Sequence, residues 1–121
     1  MTEKELLLRT KTFALRVIKL VEALPAGTAG RAIGSQLMRA GTSVAANYRA
    51  ACRGRSKAEF VAKLGIVEEE ADESCLWLEL IIESGLMKEN LVSPLLKEAH
   101  ELTAIMAASK MSARRRSQIA N

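Results

Sequence analysis

Apolar residues in this chain return every three or four positions through four successive stretches, and each stretch runs into a helix-stopping residue. That period permits little except amphipathic helices that bury one face. In the first stretch the face is Leu6, Phe13, Ala14, Val17, Ile18, Val21 and Leu24. Thr2 and Glu5 stand three apart, as a capping box requires, and Pro25 pushes Leu24 out of helical geometry. The second helix is predicted from about Arg31 to Arg53, with Ile33, Leu37, Ala40, Val44, Tyr48 and Ala51 inside. Gly34 and Gly41 each cost it roughly 1 kcal/mol relative to alanine, a cost that close approach of a neighbouring helix would offset.

Gly54 occupies the position where a helix ends in a left-handed residue, and Ser56 with Glu59 forms the next capping box. The third helix then buries Phe60, Leu64, Val67, Ala71, Leu78 and Ile82, stopping near Ser84 and Gly85. A second apolar stripe, Ile66, Trp77, Leu80 and Ile81, lies on another side of it. A helix with two apolar sides needs two partners, so this stripe is expected to form an oligomer interface. The fourth helix is led in by Asn90 or Ser93, places Pro94 in its first turn, and turns Leu95, Leu96, Ala99, Leu102, Ile105 and Met106 inward. Short connections favour antiparallel neighbours. The expected fold is all-α, an up-down-up-down four-helix bundle over residues 1–111. Residues 112–121 form a basic tail without periodicity, expected to fray.

Composition narrows the function. Aromatic residues are only 3 % of the chain, which argues against RNA modules that stack bases on aromatic platforms. The net charge of +4 permits anionic partners. No apolar run approaches a membrane span, and the polar start Met-Thr-Glu-Lys-Glu lacks signal-peptide character, so the expected location is cytoplasmic. Cys52 and Cys75, far apart, are expected as free thiols. The carboxylates Glu68, Glu69, Glu70, Asp72 and Glu73 invite a di-metal reading. That chemistry needs Glu-x-x-His pairs, and His100 is the chain's only histidine. No phosphate loop, nucleophile–base pair or dinucleotide fingerprint occurs. No catalytic residue, metal or cofactor is expected, and His100 has no evident companion.

The functional lead is the corner between the second and third helices. Arg49, Arg53, Arg55 and Lys57 crowd it, and the tail adds Arg114, Arg115 and Arg116. These seven are the candidate nucleic-acid contacts, to RNA or DNA phosphates; solvated charge at a helix junction is the plainer reading. About four phosphate contacts would give a single-strand salt slope of about −3. Gln36, Arg39, Ser43, Asn47, Glu70 and Glu73 are the candidate structural polar network, with Glu70 and Glu73 pairing with Arg39. A protein-interaction module docked through the Ile66–Trp77–Leu80 side is the alternative function.

A longer pattern joins these pieces. Leu24-Pro25 precedes Ser35-Gln36-Leu37-Met38-Arg39-Ala40-Gly41-Thr42-Ser43-Val44-Ala45-Ala46-Asn47-Tyr48. Arg55-Ser56-Lys57-Ala58-Glu59-Phe60 and Glu70-Ala71-Asp72-Glu73-Ser74 follow, leading to Trp77-Leu78-Glu79-Leu80. Over roughly Arg9 to Ala107 this resembles the four-helix-bundle family of 23S rRNA-intervening sequence proteins. The chain departs from many members at Tyr48-Arg49-Ala50-Ala51, where an acidic-glycine ending is common. The resemblance implies a homopentamer, like the related accessory protein of diversity-generating retroelements. It also implies a nucleic acid and a nucleic-acid enzyme as partners, and it supplies no catalytic residues.

Overall fold

Four helices carry the chain: α1 (Glu3–Glu22), α2 (Thr28–Cys52), α3 (Lys57–Glu83) and α4 (Glu89–Ala120). The computed structural model describes residues 1–120, with side chains through Arg116. Consecutive helices pack against each other and α4 returns to α1 over a shorter stretch. Among the described residues the diagonal pairs α1–α3 and α2–α4 bring no Cα atoms within 8 Å of each other. This is the antiparallel four-helix bundle that the periodicity requires. Phe13, Val17, Leu37, Val44, Leu64, Leu78, Leu102 and Met106 fill its axis.

Local chemistry sets the helix ends, not always as the sequence suggests. Thr2 Oγ1 accepts from the Glu5 amide at 3.1 Å and Ser56 Oγ from the Glu59 amide at 3.1 Å, so both caps form. The return bond of the second box reaches one residue further back, with the Arg55 amide donating to Glu59 Oε2 at 3.0 Å. Gly54 is not left-handed; the positive-φ turn glycine at a helix stop is Gly85, with φ 75°. There Leu86 N–H reaches Ile81 O and Gly85 N–H reaches Ile82 O, satisfying two carbonyls at the end of α3. Gly54 answers a spatial need instead, since a Cβ there would stand 3.1 Å from Ala51 O. α2 begins at Thr28, earlier than the stripe indicates. α4 begins at Glu89, so Pro94 falls in its second turn. The stretch 112–121, expected to fray, is helical through Ala120, and Ala113 is buried.

Each seam of the bundle closes differently. Between α1 and α2 the glycines do it: a Cβ on Gly41 would stand 2.7 Å from Val17 Cγ2, and one on Gly34 would stand 3.3 Å from Val21 Cγ1. Close approach is therefore what the two interior glycines provide. Arg39 spans α2 and α3, donating to Glu70 at 3.1 Å and to Glu73. Lys110 of α4 meets Glu68 of α3 at 2.6 Å. Across the sparse α1–α4 seam, Arg9 grips Glu98 through two bonds of 2.7 Å. Among the described residues no buried side-chain nitrogen or oxygen lacks a hydrogen-bond partner.

Candidate nucleic-acid interface

Antiparallel topology carries the C-termini of α2 and α4 and the N-termini of α1 and α3 to one end of the bundle. Arg49 lies in the last turn of α2, Arg53 caps it, and Arg55 stands in the connection. Lys57 is the first residue of α3, and Arg114, Arg115 and Arg116 lie near the end of α4. The seven cations named from sequence thus share one end, and all are exposed. The ion pairs among the described residues use Arg9, Arg39 and Lys110, and none of the seven. Glu59, the acid nearest the corner in sequence, already accepts the Arg55 backbone amide.

These cations divide between two crevices. Lys57 and Arg116 line one of about 270 Å³ with Phe60 and Ala113, where α3 starts and α4 ends. Arg49 and Arg53 line a groove of about 730 Å³ between α1 and α2, floored by Leu7, Leu8, Ala45 and Ala46. Lys11 completes that groove. Sequence reasoning missed Lys11, although Leu8, Lys11 and Leu15 sit three and four apart on the side of α1 away from its core stripe. Cations along the walls of such a groove make it a local concentration of positive potential.

The other candidate positions separate. Ile81 is 0 % exposed and belongs to the core, not to an outer stripe. Its place is taken by Leu76, exposed at 48 %, beside Ile66 and Leu80. Trp77 is half-buried and donates its Nε1–H to Glu73 at 3.1 Å. Arg39, Glu70, Glu73 and Trp77 form one interhelical group, and the Arg39 hydrogen bond holds the Glu73 carboxyl below the usual carboxylate range. Gln36 is exposed, and Asn47 donates to the Ser43 carbonyl of its own helix at 2.9 Å, so these positions do not join that group. Glu68 is engaged by Lys110.

His100 does have a companion: Cys75 Sγ lies 3.5 Å from its Nδ1. Burial pushes the Cys75 thiol up to about 11, so it stays protonated and a poor nucleophile at neutral pH. Both cysteines are free. Among the described residues no three His, Cys, Asp or Glu side chains gather as a metal site, and no helix is long and apolar enough to cross a membrane.

A family model described as 23S rRNA-intervening sequence protein matches residues 3–108. A crystal structure of a protein of unknown function, from the S23 ribosomal protein family of Bacteroides thetaiotaomicron, superposes with a TM-score of 0.82. The two are 26 % identical, and the alignment covers 92 % of this chain and 99 % of that one. No curated protein matches the sequence.

Proposed function

The chain belongs to the 23S rRNA-intervening sequence protein family, and from that premise we propose that it is a non-catalytic, cytoplasmic nucleic-acid-binding scaffold working through the basic end of its bundle. What supports the reading is seven exposed cations at one end, none engaged by an acid among the described residues. Cations held against carboxylates gain little from a phosphate; unpaired ones release condensed counterions from the nucleic acid and gain affinity. Guanidinium and ammonium groups on backbone phosphates position a strand without reading its bases. The ligand class is therefore RNA or DNA, with structure mattering more than sequence. Repetition of the basic end in a homo-oligomer, a pentamer by family resemblance, would multiply weak contacts into avidity. A nucleic-acid enzyme acting on the same strand is the partner this role implies.

Fluorescence-anisotropy titration of labelled RNA at low salt tests the reading. Replacing Arg53, Arg55 and Lys57 by alanine, or Arg114, Arg115 and Arg116, is expected to weaken binding at least tenfold. Replacing Arg31 and Lys88, cations at the opposite end, removes charge without touching the interface and is expected to leave affinity within about twofold. Equal losses from both ends would reduce the effect to net charge and end the proposal. Absence of binding by the native protein would leave the protein-interaction reading, which the exposed Leu76 and Leu80 favour.

A further inference from the structure

The basic end of the bundle holds a cavity that its cations do not explain. A pocket of about 540 Å³ opens there between the start of α1, the end of α2, the start of α3 and the later part of α4. That volume falls within the ~300–1,000 Å³ of small-molecule sites. Leu6 and Leu64 belong to its lining and to the core, so the pocket reaches the end of the bundle's apolar interior. Tyr48 and Phe60 line it too, two of the chain's four aromatic residues. Aromatic content too low for a stacking platform is thus concentrated at one place, beside the cations.

Charge distinguishes this pocket from the crevice next to it. Phe60 and Arg116 line both and so stand between them. The crevice adds only Lys57 and Ala113, so its charge is wholly positive and suits a phosphate. The pocket adds Glu3, Ser109 and Ser112. Glu3 makes no ion pair among the described residues. A free carboxylate repels a phosphate but accepts a hydrogen bond from the exocyclic amine of a base. Burial pushes the Tyr48 phenol up, so it stays protonated at neutral pH and keeps a donor as well as an acceptor. Two aromatic rings, hydroxyls and one carboxylate match a flat neutral heterocycle with polar edges.

We propose that the pocket receives one unpaired nucleobase of a bound strand, while the adjoining phosphate occupies the crevice at Lys57 and Arg116. Contact with the rings tolerates any base, because every base has a π-face. Glu3 adds a preference for bases that carry an exocyclic amine. A base inside a duplex is paired and stacked, so the pocket selects single strands and loops. This inference rests on the basic end as a nucleic-acid surface and deepens that reading from phosphate contact to selection of unpaired strand.

Anisotropy titrations at one low salt concentration test it, comparing a labelled oligodeoxycytidylate with an abasic strand of equal length and charge. Phosphate contacts are common to both, so the ratio of the two affinities isolates the base. The native protein is expected to bind the cytidine strand at least about fivefold more tightly. Phe60→Ala removes one wall, and Ser109→Leu fills the pocket from α4. Each is expected to bring the ratio within about twofold of unity while circular dichroism stays helical. Ser109→Leu carries the test should Phe60→Ala fail to fold. Equal native affinities for the two strands overturn the pocket and leave the basic end standing. A preference that survives the substitutions puts the base contact elsewhere and overturns the pocket as well. Binding of neither strand ends both readings.

Discussion

Gly41 and Gly65 are both helical glycines, and they answer to opposite demands. A Cβ on Gly41 would meet both Val17 methyls, at 2.7 and 2.9 Å. Valine is stiff at χ1 and cannot swing away. On Gly65 the nearest atom would be Lys110 Cδ at 3.9 Å, an ordinary contact. Gly41→Ala is therefore expected to lose about 1–2 kcal/mol, overpacking outweighing better helix propensity. Gly65→Ala is expected to gain up to about 1 kcal/mol. Urea unfolding of both variants checks this, and a stabilised Gly41→Ala would mean that α1 and α2 are not in close approach. Gly34 and Gly41 were legible in the sequence as a cost needing a reason. Which helix supplied the reason was not, because periodicity gives a face without naming its neighbour.

At the scale of elements, the corner between α2 and α3 was legible where a side chain meets its own backbone. Ser56 caps α3 as its spacing from Glu59 requires, and Ser56→Ala is expected to cost about 1 kcal/mol in thermal unfolding; no change would remove the cap from the account. Handedness was less legible. Gly54 and Gly85 both follow helices, yet only Gly85 has positive φ, since the Ser56 cap begins α3 too soon for α2 to complete a left-handed stop. Ile81 was misread because its spacing from Trp77 fits the outer stripe, yet it also stands three residues from Leu78 and is buried with it in the core. The α1–α4 seam is tied by Arg9 and Glu98, and the Arg9 hydrogen bond holds the Glu98 carboxyl below its usual range. A carboxyl depressed in the folded state adds stability above its unfolded pKa, about 4.3, and loses it as pH falls through the folded value. Glu98→Gln is expected to cost roughly 1–2 kcal/mol at pH 7, with the difference from the native protein vanishing toward pH 2 in acid titrations of stability. A gap that persists there would mean that the pair carries no such linkage.

For the whole molecule, the four-helix architecture follows from periodicity plus short connections, and the gathering of seven cations follows from antiparallel order. Chain distance hides the latter: Lys57 and Arg116 are far apart in sequence and line one crevice only in the folded bundle. Lys11 escaped notice because a lone lysine on an exposed helix face looks like ordinary solvation until α2 brings Arg49 and Arg53 beside it.

The account's central claim is that this end of the bundle meets phosphates, and the dependence of RNA affinity on salt measures it most directly. Seven contacts to a single strand predict that log K falls against log salt with a slope of about −5 per protomer, reduced by about 2 when Arg114, Arg115 and Arg116 become alanine. A slope near zero, or one that the three replacements leave unchanged, would contradict the claim.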